Sequence, residues 1–514
     1  MSGPRFITAD AARDERSEPW QLVMPRSIWQ QLNEHLFPGD HGEHGAVATA
    51  GLVQTARGTR ILVRELFCAR DGVDFVPAKH AHRRLTPTFV NERIRYCRDH
   101  GLAYLAIHNH GGTDSVGFSS TDLQSHERGY PALLDIARGQ PVGALVLARG
   151  ALAGDIWTSD GKRRPIGETV IPGRNLERLY PERRVAPRER CAIDDRQARI
   201  YGDAGQALLA RLKVGVIGAG GVGLPIVATL ARLGVGHVVV VDPERVDLTN
   251  LPRLPESTRR DAMTFLTSPR RPAWIQQLGQ RLTTPKVRLA QRVAHRARTT
   301  VHVDGLRCDA MSETSIAALM DCDYLFLAAD SHVARAAFNM LVHQYLIPGV
   351  QVGSKVEIDP TDALQGIYSV VRPVYPDSGC LWCNGLISAS RITDESLPNA
   401  VRNAQAYLPS DDAPAPSVIT LNALGVAQAT NHFMLAATGL LQDSPTAGDY
   451  RRYEARSERT RTEIPRQDPA CIDCGLTADS VRARGMKVRW RVASDFGLVN
   501  VGLRPPSAPL SRRR

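Results

Sequence analysis

No stretch of about 18 apolar residues occurs in the chain, so no segment is suited to cross a membrane as a helix. Its first twenty residues, MSGPRFITADAARDERSEPW, contain no apolar core of the kind an export leader needs. These two absences predict a soluble, cytoplasmic protein. Aromatic residues reach only 6% and do not interleave with the basic clusters, so nucleic acid is not an expected partner. Cysteine is scarce and odd in number, nine in 514 residues, which argues against a disulfide framework. No internal repeat is visible.

What is present is ordinary globular material, 43% hydrophobic and 23% charged. A chain of 514 residues exceeds what one core organises, so two large domains are expected. The formal charge of +11 comes from arginine clusters at 183–190, 451–461 and 512–514. These read either as solvated linker and tail or as a footprint for an acidic protein partner.

Short apolar runs at 61–63, 104–107 and 144–147 alternate with helical and turn segments, giving a first α/β domain over 1–160. Residues 161–193, rich in Arg, Pro and Glu, are expected to be a linker. A second domain is placed at 194–480, followed by an extension and basic tail over 481–514. Within it a strand at 214–217, a glycine turn, a helix through Leu233 and a strand at 238–241 form a βαβ unit opening a doubly wound sheet. The strand at 324–328 and the helix at 332–345 continue that sheet, and 259–282 reads as an insertion.

The turn Gly218-Ala-Gly220-Gly221-Val-Gly223 follows a strand and opens a helix, so its backbone N–H groups face outward for phosphates. Asp242 ends the next strand, where a carboxylate can bond ribose hydroxyls. NAD and ATP satisfy these features equally. Asn250-Leu-Pro-Arg253, Lys286 and Asp330 then add cations for a triphosphate and a carboxylate for magnesium, a set that hydride transfer does not need. Adding Arg196-Gln197, Gly202-Asp-Ala-Gly205-Gln206, Arg335 and two late CxxC pairs, the chain from about Asp194 to Gly475 resembles the adenylating domain of ubiquitin-activating and ThiF-type enzymes. The resemblance implies a Rossmann-like domain that uses ATP and Mg2+ to adenylate the C-terminal glycine of a small ubiquitin-like or sulfur-carrier β-grasp protein. Asp242 would hold the ribose, Asn250, Arg253 and Lys286 the phosphates, and Asp330 the magnesium. Arg196 would arrive from the other subunit of a homodimer. Arg253 and Lys286 stand further apart than the family usually shows.

Cys380-Leu-Trp-Cys383 and Cys471-Ile-Asp-Cys474 have the spacing of a closed, structural zinc site. No cysteine lies between them, although ubiquitin-activating relatives usually carry a thiolate nucleophile there. Either the acyl adenylate passes directly to its acceptor, or another group such as Ser417 takes the acyl chain; Ser417 also suits a helix N-cap. Cys308 and Cys322 read as packing residues.

His108-Asn-His110 ends an apolar strand, and i, i+2 spacing turns both imidazoles to one face. Ser119 and Asp122 follow at the start of a helix. Two histidines and a carboxylate leave zinc an open position for water, and Glu43 upstream could be its general base, with Glu65 as the rival. This constellation over roughly 20–158 resembles the JAMM zinc isopeptidases, which cut ubiquitin-like proteins after the C-terminal glycine. By that likeness His108, His110 and Asp122 bind catalytic zinc, Glu43 is the base and Ser119 steadies the oxyanion. His110 to Ser119 is one residue longer than the usual pattern.

The expected fold is therefore α/β, a JAMM-type metalloprotease domain followed by a Rossmann-like adenylating domain with a structural zinc knuckle. Its expected work is activation of a β-grasp protein together with processing or deconjugation of the same protein, in a bacterial ubiquitin-like pathway with a conjugating enzyme as a further partner. The alternatives are trimming and activation of a sulfur carrier in cofactor synthesis, and an NAD-dependent oxidoreductase with an unrelated metal domain.

Overall fold

The computed structural model describes residues 20–40, 42–76, 84–182, 192–359, 363–397, 417–442 and 449–486. The arginine clusters at 183–190 and 512–514 lie outside them. The first part of the chain runs β1 (Trp20–Val23), α1 (Arg26–Leu36), β2 (Gly45–Thr55), β3 (Gly58–Cys68), α2 (Pro87–His100), β4 (Ala103–Asn109), α3 (Ser120–Ile136), β5 (Val142–Leu147), β6 (Leu152–Trp157), β7 (Arg163–Pro172) and β8 (Leu176–Leu179). These eight strands form one sheet in the order β1-β3-β2-β4-β5-β6-β7-β8, and β1 also pairs with β7, which curls the sheet back on itself.

That pairing corrects the expected linker. Residues 163–179 look irregular in sequence because they are rich in Arg and Pro, yet Ile166, Val170 and Ile171 are buried. Trp20 to Val23 bonds in parallel to β7 from Ile166 to Val170, a partnership across more than a hundred residues of chain.

The second part contains α4 (Asp195–Arg211), β9 (Lys213–Ile217), α5 (Gly223–Leu233), β10 (His237–Val241), α6 (Thr264–Thr267), α7 (Ala273–Leu282), α8 (Lys286–Ala297), β11 (His302–Leu306), α9 (Glu313–Leu319), β12 (Tyr324–Leu327), α10 (His332–Gln344), β13 (Gly349–Ile358), β14 (Leu364–Val374), α11 (Ala389–Ser396), α12 (Ile419–Ala437), β15 (Tyr450–Glu454) and β16 (Arg459–Glu463). The sheet order is β11-β10-β9-β12-β13-β14-β15-β16. Strands β9 (KVGVI) and β10 (HVVVV) are nearly continuous apolar runs, as strands covered on both faces must be. From β9 the chain builds outward to β10 and β11, then returns to β12 on the other side. That reversal creates a crevice at the carboxyl ends of β9 and β12, where open α/β sheets bind ligands.

The two sheets are packed together. Val23, Val53 and Leu62 of the first share a core with Leu319, Leu341 and Leu346 of the second. Three arginines of the β2–β3 hairpin cross the boundary. Arg57 bonds Asp321 at 3.1 Å and Asp323 at 3.0 Å, Arg60 donates to Met320 O at 3.2 Å, and Arg64 donates to Thr477 O at 2.8 Å. Residues 481–486, the start of the expected extension, bury Val481 and Ala483, and Met486 N donates to Leu52 O at 2.9 Å. The remainder of that extension, 487–514, lies outside the described residues.

Candidate nucleotide site and metal centres

The glycine turn sits at the crevice, between β9 and α5. Gly218 has φ +95°, and a Cβ there would meet the Ala328 and Ala329 backbone at 3.0 Å. A Cβ on Gly223 would lie 1.7 Å from Gly218 O, and one on Gly221 would meet Asn422 Nδ2 at 2.8 Å and Arg253 O at 2.9 Å. Gly220 alone faces open space. Three glycines thus let the chain fold tightly, while the fourth leaves room for something outside it.

Asp242 closes the turn from β10. Its Oδ2 accepts from Ala219 N at 2.7 Å and its Oδ1 from Glu244 N at 2.8 Å. Burial pushes this carboxyl above its usual range, opposed by nearby Lys286. Lys286 reaches the site because the insertion carrying α6 and α7 loops out and returns. Val246 N bonds Thr284 O at 2.8 Å and Lys286 N bonds Glu244 O at 3.0 Å. Its ammonium, buried, is paired with the Glu244 carboxylate. The long separation between Arg253 and Lys286 is thus length spent outside the site. Asn250, also buried, anchors the bend, and Arg253 N donates to its carbonyl at 3.0 Å.

Asp330 is exposed beyond the end of β12. Ser331, not Asp330, caps α10, its Oγ accepting from Ala334 N at 3.1 Å. Burial lowers the Arg335 pKa and Asp330 opposes that shift, so the two charges are neighbours. Arg196 is exposed on the first turn of α4, at the opposite edge. Its neighbour Gln197 bonds Leu233 O at the far end of α5 at 3.4 Å, about 16 Å along the helix from the glycine turn. Gly202 breaks α4 with φ +74°, and Gln206 ties that helix to α5 by donating to Leu233 O at 3.1 Å. These motif residues organise the element that carries Arg196.

Ser417 does not cap α12, whose N-cap is Val418. Its hydroxyl accepts from Asn422 Nδ2 at 3.1 Å, while Asn422 Oδ1 accepts from Ser354 at 2.8 Å. Asn422 is the residue that the sequence reading missed here. Buried in the first turns of α12, it packs against Gly221 and connects Ser417 to the glycine turn, and no local motif marks it.

The four cysteines of the two CxxC pairs converge although 87 residues separate Cys383 from Cys471 in the chain. Their sulfurs lie 3.5 Å (Cys380–Cys383), 3.7 Å (Cys380–Cys471) and 3.6 Å (Cys383–Cys474) apart. Zn–S bonds of about 2.3 Å make a tetrahedron with edges of about 3.8 Å, so the donor set fits zinc. Cys322 is fully buried and Cys308 accepts from Ser315 at 3.4 Å, both as packing residues.

In the first sheet, His108 Nε2 and His110 Nε2 are 3.2 Å apart, and they stand 3.6 Å and 3.4 Å from Asp122 Oδ2. Metal bonds of about 2.0 Å from tetrahedral ligands need edges of about 3.3 Å, so this triangle also fits zinc. Burial would raise the Asp122 pKa, but the two histidines and the Ser119 hydroxyl hold it well below the usual carboxylate range. The same contact raises His110, against burial. Ser119 Oγ bonds Asp122 Oδ2 at 2.7 Å and caps α3. His110 Nδ1 lies 3.2 Å from Gly117 O, which orients the ring.

Glu43 is close enough to raise His110 electrostatically. Its segment is held by Asn109, whose Oδ1 accepts from His44 N at 2.6 Å and whose Nδ2 donates to Gly42 O at 3.4 Å. Strand alternation could have identified Asn109, since it must point away from the face shared by its two histidine neighbours. The rival base Glu65 is elsewhere. It accepts from Thr49 at 3.2 Å and Tyr96 at 3.1 Å, and Thr49 pairs with Tyr104 while Gly45 pairs with His108, a displacement of roughly 13 Å along the strand.

The fold and site together define a doubly wound α/β protein with a glycine turn at its switch point. The chain belongs to the ThiF family, whose model matches residues 195–473. It is 26% identical over 283 residues to the sulfur carrier protein adenylyltransferase of Thermus thermophilus, covering 53% of this chain and 86% of that one. A 52-residue stretch is 48% identical to the SAMP-activating enzyme E1 of Haloferax volcanii, covering 10% of this chain and 19% of that relative. Among solved structures, E. coli MccB with MccA-N7isoASN aligns at a TM-score of 0.42 and 15% identity, over 56% of this chain and 77% of that one. Residues 20–179, with the His108 cluster, lie outside the family match.

Proposed function

We propose that the chain uses ATP to adenylate the C-terminal carboxylate of a small β-grasp protein, of ubiquitin-like or sulfur-carrier type. The observation that carries this reading is the crevice itself, where Gly220 leaves open space beside a turn pinned by Asp242 and flanked by Arg253 and Lys286. In this reading Asp242 holds the ribose. The carboxylate oxygen of the partner's terminal glycine attacks the α-phosphorus, the bond to the bridging oxygen breaks, and pyrophosphate leaves with its electron pair. Asn250, Arg253 and Lys286 stabilise the charge that builds on the phosphates. Lys286 must exchange Glu244 for phosphate, which the exposed Glu244 side chain permits. Asp330 would hold magnesium, a hard cation that needs few protein ligands when phosphates supply the rest and that neutralises phosphate charge. Arg196, carried by α4 near the far end of α5 from its own crevice, supports a homodimer in which it serves the partner's site. Names of the relatives support a carrier-type protein as the substrate class.

The test is pyrophosphate exchange into ATP with a candidate β-grasp protein, comparing the intact chain with Asp330→Ala. Exchange that requires the partner's free terminal glycine and disappears in the variant is expected. Tight NAD binding without exchange would refute the reading.

A second activity is favoured by the His108–His110–Asp122 triangle, whose edges suit zinc with an open position. We propose that this centre hydrolyses a peptide or isopeptide bond at the same partner's C-terminus, in the manner of a JAMM-type isopeptidase. Zinc would supply an activated water, Glu43 would take its proton, and Ser119 would turn its hydroxyl hydrogen from Asp122 to the oxyanion. The expected result is that Glu43→Gln abolishes cleavage of a partner extended beyond its glycine while exchange persists. Cleavage at the wild-type rate by that variant would remove Glu43 from the role.

A further inference from the structure

A third cluster of ligating groups stands at the far end of the second sheet. β10 and β11 run parallel with His237 opposite His302 and Val239 opposite Asp304. Because side chains alternate along a strand, His302 and Asp304 share one face, and the cross-strand neighbour His237 joins them there. Asp304 lies between the two rings, with Oδ2 2.8 Å from His237 Nε2 and Oδ1 3.0 Å from His302 Nε2. The ring centroids are 4.5 Å apart at 82°, close to the 4.8 Å and 69° of His108 and His110.

We propose that His237, His302 and Asp304 form a separate binding site for a divalent transition-metal ion of the zinc, nickel or copper(II) class. Two imidazoles and one carboxylate suit these ions and not calcium or magnesium, which prefer all-oxygen shells. Metal entry exchanges the two hydrogen bonds for ligand edges of about 3.3 Å, a movement of a few tenths of an ångström. The side chains grade from half-buried His237 to exposed His302, so the remaining coordination positions face solvent. The neighbouring cation Lys213 is occupied, its Nζ bonded to Asp321 at 2.7 Å. Since β11 is the edge strand of the described sheet, with β10 as its strand neighbour, a bound ion would staple that edge. The site is at the start of β10, five residues and roughly 16 Å from Asp242, so it does not depend on the adenylation reading.

The test is equilibrium dialysis of the full chain against zinc chloride, followed by metal analysis. His302→Ala and Asp304→Asn should each hold one equivalent less than the wild type, with unchanged circular dichroism. Copper(II) electron paramagnetic resonance should show coupling to two imidazole nitrogens that falls to one in His302→Ala. Equal zinc content in all three proteins would overturn the proposal, as would copper spectra unaltered by His302→Ala.

Discussion

Replacing Gly220 or Gly223 by alanine separates folding from binding in the glycine turn. At Gly223 the new methyl carbon would sit 1.7 Å from the Gly218 carbonyl oxygen, and the obstacle is backbone that cannot swing aside. Overpacking a well-filled site costs about 1 to 3 kcal/mol, and this is a severe case, so about 3 kcal/mol is expected. For a domain of this size that corresponds to roughly 6 to 12 °C in melting temperature. At Gly220 nothing lies within 4 Å, so the fold should tolerate the methyl and melting should be unchanged. The methyl instead occupies the space through which a phosphate would approach the backbone N–H groups. Losing one charge-assisted hydrogen bond costs about 1.5 to 3 kcal/mol, which is about 10- to 150-fold in ATP affinity. Calorimetric titration with ATP and differential scanning calorimetry measure the two effects. Full ATP affinity in Gly220→Ala would refute the placement of phosphate on this turn, and an equal melting loss in both variants would refute the steric argument.

The insertion offers a pH test. Buried Asp261 accepts two bonds from Arg292, at 2.8 and 2.9 Å, and one from Thr284 at 2.9 Å. Burial alone would raise its pKa, but Arg292 and the threonines hold it well below the usual range. A depressed carboxyl contributes stability that is complete above its unfolded value of about 3.9 and is lost as pH falls below it. Asp261→Asn should therefore show a shallower loss of urea midpoint than wild type between about pH 4 and pH 2, and parallel curves would contradict this. At the domain boundary, Arg57→Ala leaves buried Asp321 and Asp323 short of a partner, although Lys213 still bonds both. A destabilisation of about 2 kcal/mol is expected in denaturant unfolding, and an unchanged midpoint would show that the ion pairs are dispensable.

Legibility followed the range of the interactions. The glycine turn, Asp242 and the His-x-His strand end are local, so spacing alone revealed their geometry. The CxxC pairs are distant from one another, yet the chemistry of four thiols with a single preferred polyhedron linked them. Residues 163–179 were misread because their Arg- and Pro-rich composition hides the pairing of β7 with β6, β8 and the remote β1. Ser417 reads as a cap by residue type, but Asn422 claims its hydroxyl and the cap position shifts to Val418. Glu65 and Glu43 are equally acidic in sequence, and only the register of β2 against β4 separates them.

The same register shows how the two parts of the chain act on each other. Strand β2 begins at Gly45, opposite His108 and next to the Glu43 segment. Seven residues later, roughly 23 Å along the strand, Leu52 accepts from Met486 N. Met486 lies on the segment that leaves Cys471 and Cys474, and Arg64 of β3 holds that segment through the carbonyls of Thr477 and Ser480. The cysteine cluster also lies against α10, where Asn339 bonds Asp473 at 2.6 Å and the amide of Leu381 at 2.8 Å. A metal that closes the four thiols therefore fixes one end of a short segment whose other end is bonded into the sheet of the His108 centre. Thermodynamically, whatever stabilises that cluster stabilises the docking of the two parts by the same contacts. The cysteines belong to the interface as much as to the adenylating fold.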